Sequence, residues 1–152
     1  MSWLYETGSV TDTGYDDFYK KMDITIMGSK TFSAIEKLEN RDSIYSTTKN
    51  YVFSTSKIIS SKAFEVVSSD IVEFISHLPK DKNVWLVGGN KILKPLLDAG
   101  MVDTMTLQIA PVLLGNGIPL FTQDEGVKRF DLLELNQYGE FSELVLQRHD
   151  NK

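Results

Sequence analysis

The chain predicts an α/β fold built on a mainly parallel sheet with an antiparallel edge, and three stretches carry that reading. In the first, the apolar run Val84–Val87 reads as a strand buried on both faces, as in a parallel sheet. It is followed by Gly88-Gly89 and by Ile92, Leu93, Leu96 and Leu97 on one helical face, and Gly100 sits where a helix C′ glycine belongs. In the second, Ile24–Met27 runs into Gly28-Ser29-Lys30-Thr31 and then into a helix through Phe32, Ile35 and Leu38, a second strand–glycine–helix unit. In the third, segments 129–138 and 141–148 flank Gly139 as two strands of a C-terminal hairpin.

Other elements fit between these. Residues 1–13 open without a clear strand. Tyr15, Phe18, Tyr19 and Met22 fall at helical spacing, with Thr13 as the expected N-cap and Asp16 and Asp17 in the first turn. Residues 40–50 read as loop, Tyr51–Phe53 as a strand, and Phe64–Val67 as another. Asp70 with Glu73 has the form of a capping box, ahead of a helix with Ile71, Phe74, Ile75 and Leu78 buried and Pro79 as its stop. His77 in that helix's last turn reads as a surface residue complementing the dipole. From Asp103 to Ile109, Met105, Leu107 and Ile109 alternate with Thr104, Thr106 and Gln108, giving a strand with one apolar face. The apolar phase slips between Leu132 and Leu133, which predicts a bulge. Segment 110–121 is an apolar loop punctuated by glycine and proline, a composition expected to cover core or ligand.

Bulk properties narrow the function. The chain has 152 residues, enough for one domain with a substantial core. Its net charge of −5 offers no basic surface to track a nucleic-acid backbone. No apolar run reaches membrane-spanning length and no signal peptide is visible, so a cytoplasmic protein with neither membrane nor nucleic-acid partner is expected. The absence of cysteine excludes disulfides and thiolate chemistry, and two histidines cannot form a histidine-rich metal site, so no metal is expected.

Three turns stand at strand C-terminal ends, where open parallel sheets bind ligands: Gly28 to Thr31, Ser54-Thr55-Ser56-Lys57, and Gly88-Gly89 with Asn90, Lys91 and Ile92. Glycine admits close backbone approach, and a helix start offers unpaired N–H groups with partial positive charge, a combination suited to phosphate. Each turn alone reads equally well as an ordinary loop or cap. Gly88-Gly89 has neither P-loop nor three-glycine dinucleotide spacing. Their convergence on one edge carries the weight.

Four stretches in order, Val84 to Gly89, Leu97 to Asp103, Ala110 to Gly115 and Gly117 to Phe121, resemble the dihydrofolate reductase superfamily. Ile26 to Phe32 and Val52-Phe53-Ser54 match in the same order. The chain is most similar to stand-alone relatives of the reductase domain of bifunctional riboflavin-biosynthesis enzymes. The resemblance runs from about Trp3 to the C-terminus. It implies a single three-layer dihydrofolate reductase-like domain, NADPH as cofactor, and a cytoplasmic homodimer. By position, Gly88 to Ile92 would hold the pyrophosphate, Gly28, Ser29, Lys30 and Thr31 the phosphates from the other side, and Ser54, Thr55 and Ser56 would lie by the adenosine end.

Two departures from the family follow. Many relatives carry arginine where this chain has Ser29, leaving Lys30 or Lys57 to supply charge and bearing on NADPH over NADH. The family's first strand, normally central beside the strands at Val84 and Thr104, has no counterpart after Met1. Its loss would leave two rows of backbone groups without partners, each costing about 1–3 kcal/mol. An upstream start, a segment of another subunit, or the two neighbours closing up would resolve this. An upstream start or a segment of another subunit is the expected solution.

The implied activity is an oxidoreductase of the dihydrofolate reductase or 5-amino-6-(5-phosphoribosylamino)uracil reductase type. It transfers hydride to a C=N or ribosylamine carbon of a pteridine or phosphoribosylamino-pyrimidine. Asp16 and Asp17 are the candidate proton donors, with a bound water as the alternative, and the polar face of Thr104, Thr106 and Gln108 is a candidate substrate wall or a solvent face. The alternatives are a nucleotide-binding module of the same fold without catalysis, which binds cofactor and reduces nothing, and a structural dimerising domain, which binds no nucleotide.

Overall fold

The computed structural model describes residues 2–8, 13–55, 61–121 and 126–149. Two short helices, α1 (Ser2–Thr7) and α2 (Tyr15–Tyr19), precede β1 (Ile24–Gly28), α3 (Ser29–Ile35), β2 (Lys49–Phe53) and β3 (Phe64–Val67). Then come α4 (Ile71–Ser76), β4 (Val84–Gly88), α5 (Asn90–Asp98), β5 (Thr104–Ile109), β6 (Phe130–Tyr138) and β7 (Phe141–Arg148).

The strands form two sheets. One is parallel, in the order β3-β2-β1-β4, and the other antiparallel, in the order β5-β7-β6. This is the α/β architecture expected, a mainly parallel sheet with an antiparallel C-terminal hairpin.

Period-two alternation splits the parallel sheet's apolar side chains between two cores. Ile24, Ile26, Tyr51 and Phe53 meet Ile71 of α4 and Leu96 of α5 on one face. Met27, Val52 and Phe64 meet Phe32 and Ile35 of α3, with Tyr45, on the other. Helices therefore cover both faces, making three layers. Ile26, Met27, Val52 and Phe32 are almost wholly enclosed, and each such side chain contributes about 1.5–3 kcal/mol.

Local signals behave as the chemistry dictates. Asp70 caps α4, its carboxylate accepting from the Glu73 N–H at 3.0 Å. α5 ends in a Schellman motif: Gly100 is left-handed (φ 63°), its N–H donates to the Leu97 carbonyl at 3.2 Å, and the Met101 N–H reaches Leu96 at 2.9 Å. The β6–β7 register shifts between Leu132 and Glu134, placing the bulge at Leu133.

Several expectations are corrected. The opening stretch contains helix α1. The N-cap of α2 is Gly14 (φ 67°) and not Thr13, which is buried; a Cβ at residue 14 would lie 3.2 Å from the Tyr138 hydroxyl. β2 starts two residues early, at Lys49, because Asn50 is held inside by hydrogen bonds. β5 starts at Thr104 and β6 at Phe130, each one residue later than expected.

β4 is half-buried along its length and not enclosed on both faces. The physical reason is topology: among the described residues it pairs with β1 alone, so one edge has no strand beside it. β5 likewise pairs with β7 alone. The two strands have not closed up on one another.

The apolar loop is the largest difference. Leu120 and Phe121 line a cavity, but Leu113 and Ile118 are 102% and 92% exposed.

Candidate cofactor site

Strand register brings the three turns together. Gly28 at the end of β1 is level with Phe53 at the end of β2, and Met27 is level with Gly88 at the end of β4. All three strands run parallel, so Ser54, Gly28 and Gly88-Gly89 emerge on one edge of the sheet.

Two of these turns touch. A Cβ at Gly89 would lie 3.6 Å from the Gly28 nitrogen and 3.4 Å from Ile92 Cγ1. Gly89 also has φ 112°, a conformation that L side chains rarely adopt. A Cβ at Gly88 would meet Thr31 Oγ1 at 3.6 Å. The glycines thus leave a shallow backbone cradle between the starts of α3 and α5. Gly89 is the N-cap of α5 with no side-chain cap, and Leu93 N–H donates back to its carbonyl at 3.0 Å. A helix start of this kind leaves its first N–H groups pointing outward with partial positive charge. The cradle, the N–H groups and the small hydroxyl side chains suit a phosphate group.

The remaining sequence-named residues fall around this edge or away from it. Ser29 and Thr31 are half-buried in the first turn of α3, and Lys30 is exposed between them. Lys91 is exposed on α5. Ser54 follows β2 directly and donates its N–H to the Val67 carbonyl at 3.0 Å, and Thr55 is exposed. Ser56 and Lys57 lie outside the described residues. Asn90 has a structural task as well, its side-chain amide donating to the Pro119 carbonyl at 3.2 Å and tying the apolar loop to α5.

Asp16 and Asp17 are not at this edge. Their helix, α2, stacks Tyr15, Phe18 and Tyr19 around Trp85, the second residue of β4. The Tyr19 hydroxyl accepts from the Thr47 N–H just before β2. These contacts put α2 at the N-terminal ends of the strands, opposite the glycine turns. Both aspartates are exposed, and Asp17 pairs with Lys20 at 3.3 Å.

The other named groups also have local partners. Gln108 donates to the buried Glu143 carboxylate at 2.9 Å across β5 and β7, and Asn136 of β6 reaches the same carboxylate at 3.4 Å. His77 is exposed, with Nδ1 2.8 Å from the Glu73 carbonyl.

The sequence reading did not locate a cavity of about 470 Å³ on the other flank of α5. Leu93 and Leu97 form its helical wall, Met105, Leu107 and Leu146 its sheet wall, and Phe121 part of its rim. Asp98 stands there between Lys128 (2.7 Å) and Lys94 (2.5 Å), and these hydrogen bonds, Lys128's first, hold its carboxyl below the usual carboxylate range. The signal that pointed here was the apolar loop, since Leu120 and Phe121 help close the cavity. No group of metal-ligating side chains occurs among the described residues.

The decisive likeness is one of sequence, over residues 14–142. The chain belongs to the RibD C-terminal domain family. That family is the reductase domain of riboflavin biosynthesis. Two proteins of Bacillus subtilis (strain 168) are similar to it. YwjB, uncharacterised, is 27% identical over 147 residues, spanning 95% of this chain and 84% of that one. YyaP, also uncharacterised, is 34% identical over 123 residues, spanning 72% and 65%.

Among solved structures, a Shewanella sp. PV-4 protein provisionally assigned to riboflavin biosynthesis superposes with a TM-score of 0.86 at 23% identity. That match covers 99% of this chain and 88% of the other. Acinetobacter baumannii RibD superposes with a TM-score of 0.65 at 17% identity, and this chain spans 51% of it. At these identities the two likenesses establish the fold. No helix among the described residues is long and apolar enough to cross a membrane.

Proposed function

We propose that this RibD C-terminal domain protein is an NADPH-dependent oxidoreductase that reduces a C=N or ribosylamine carbon in a pteridine or a phosphoribosylamino-pyrimidine. The observation that carries the proposal is the cradle at the strand edge, where Gly28, Gly88 and Gly89 meet within van der Waals distance beside the start of α5. Family membership supports the same cofactor class.

In this reading Gly88, Gly89 and the first turn of α5 (Asn90, Lys91, Ile92) receive the pyrophosphate. Gly28, Ser29, Lys30 and Thr31 contact phosphates from the opposite side, and Ser54, Thr55 and Ser56 border the adenosine end. Lys30, exposed where many relatives have an arginine one position earlier, supplies a cation for the 2′-phosphate. A bound nicotinamide supplies the hydride, while the protein positions both partners.

The location of α2 argues that the proton comes through water and not from Asp16 or Asp17. Turnover is read as NADPH oxidation with dihydropteridine and ribosylamino-pyrimidine substrates. Asp16→Asn and Asp17→Asn are expected to keep turnover within about twofold, whereas a loss of about tenfold or more in either would assign it the proton.

The same position of α2 also favours a second reading, a nucleotide-binding module without catalysis, because neither sequence-named carboxylate stands at the glycine edge. Cofactor binding with no oxidation by any substrate of these classes would select it.

A further inference from the structure

The antiparallel sheet has a polar face opposite α5. Met105, Leu107 and Leu146 line the α5 cavity, so alternation turns Thr106, Gln108 and Glu143 to the other side. Register sets Gln108 of β5 and Asn136 of β6 on either side of Glu143 of β7, in a row across the sheet. Glu143, in the middle, is 6% exposed, whereas Gln108 is exposed.

The chemistry of this row fixes which way each amide is turned. A carboxylate accepts hydrogen bonds and donates none. Glu143 Oε2 accepts from the Gln108 amide at 2.9 Å, and Oε1 from the Asn136 amide at 3.4 Å. The Asn136 nitrogen also donates to Glu134 at 3.2 Å. Both amide nitrogens are thus drawn to carboxylates, and both amide oxygens face away from Glu143. The Gln108 oxygen has no hydrogen-bond partner among the described residues.

The topology brings Gln108 toward the glycine turns. β5 begins just after Gly100 closes α5, and it runs back along that helix. The loop that leaves β5 returns to the start of α5, where Asn90 donates to the Pro119 carbonyl. Gln108, next to last in β5, therefore lies toward the end of the molecule that carries Gly88-Gly89. Among the described residues β5 pairs with β7 alone, so the side of Gln108 away from Glu143 has no strand beside it.

We propose that Gln108 is a specificity-determining residue of the reductase site and that Glu143 is the positioning residue that turns it. The outward amide oxygen accepts from a ring N–H of the substrate, and the second amide N–H stands beside it for the adjacent ring carbonyl. An N–H next to a C=O is the lactam edge shared by pterins and pyrimidinediones. An amide free to flip would read a donor or an acceptor equally; the locked one demands a donor. The inference deepens the reductase reading above and takes its ligand class from it.

Calorimetric titration of the purified chain, with and without NADP+, tests it with two probes: diaminouracil, and the derivative methylated at both ring nitrogens. The unaltered chain should prefer the unmethylated probe by at least about tenfold. Gln108→Leu should bring the two within about twofold. Glu143→Gln should do the same, because an amide at that position both donates and accepts and no longer dictates how Gln108 turns. Exchanging the pair, Gln108→Glu with Glu143→Gln, should restore the preference: the inner amide then donates to the outer carboxylate, which keeps an acceptor facing the ligand. A merely structural role for the pair predicts no such recovery. Far-UV circular dichroism should be the same in all four proteins. Equal affinity for the two probes in the unaltered chain, a preference that survives either single substitution, or no recovery in the exchanged pair would each overturn the inference. A parallel NADPH titration separates it from the cofactor reading. NADPH binding with neither probe bound overturns the inference and leaves the cofactor site standing. A preference that Gln108→Leu abolishes, in a chain that binds no NADPH, upholds Gln108 as the reader of a lactam and removes the reductase.

Discussion

Asn50 shows how much one enclosed polar residue can hold. Its side-chain oxygen accepts from Thr25 Oγ1 at 2.6 Å and from Thr48 Oγ1 at 2.7 Å, and its amide donates to the Tyr45 and Ala63 carbonyls at 3.0 and 2.9 Å. Every hydrogen-bonding position of the amide is used, and Thr25 and Asn50 are both buried. The network ties β1 to β2 and fastens the loop before β2 to the turn before β3. Asn50→Asp would set a carboxylate oxygen against two carbonyls inside the protein. The expected cost is about 3 kcal/mol or more, measured by urea unfolding at neutral pH. Tyr45 beside it is buried, and desolvation, then repulsion from the ionised forms of Tyr15 and Tyr19, pushes its hydroxyl up to about 12. The unfolded chain ionises tyrosine near 10, so this contribution to stability is present below pH 10 and is lost as pH rises from 10 toward 12. Tyr45→Phe should therefore flatten the fall in urea midpoint across pH 9.5–11.5, and an unaltered fall would place the effect elsewhere. Neither residue was legible in the sequence. Asn50 sits at the end of a polar run that reads as loop, and only tertiary packing reveals that it faces inward.

At the scale of elements, legibility follows how local the governing physics is. The Asp70 cap, the Gly100 Schellman turn, the Leu133 bulge and the β6–β7 hairpin depend on neighbours within a few residues, and each stands where the pattern put it. β4 depends on what lies beside it in space. Its apolar run matches a central strand, yet it lies half-buried at the edge of a sheet. α1 escaped because Ser2–Thr7 is too short to display a helical period. The apolar loop at 110–121 was legible in composition but not in consequence: it was expected to cover something, and most of its large side chains are exposed. The order strand, Gly88-Gly89, helix was legible, though the burial of β4 was not, because glycine pairs between an apolar run and an amphipathic segment have few structural solutions. Within that unit Gly89 is the position with least tolerance. A side chain there would adopt an unfavourable φ and project toward Gly28 and Ile92, filling the cradle.

For the molecule as a whole, the fold class and the meeting of three strand ends were readable, since parallel βα units must bring their C-terminal turns to one edge. The division into two sheets was not, because it depends on which strands end up adjacent. This division leaves β4 and β5 each paired on one side among the described residues, and leaves apolar side chains exposed on the smaller sheet. The proposed cofactor edge belongs to the parallel sheet. The most direct test of the central claim is an equilibrium titration of the purified chain with NADPH and with NADH, followed by calorimetry, alongside the Gly89→Val variant. The account predicts micromolar NADPH binding, at least about tenfold weaker NADH binding, and a loss of at least about tenfold in NADPH affinity in the variant. No binding of either dinucleotide by the unaltered chain, or unchanged affinity with valine in the cradle, would contradict it.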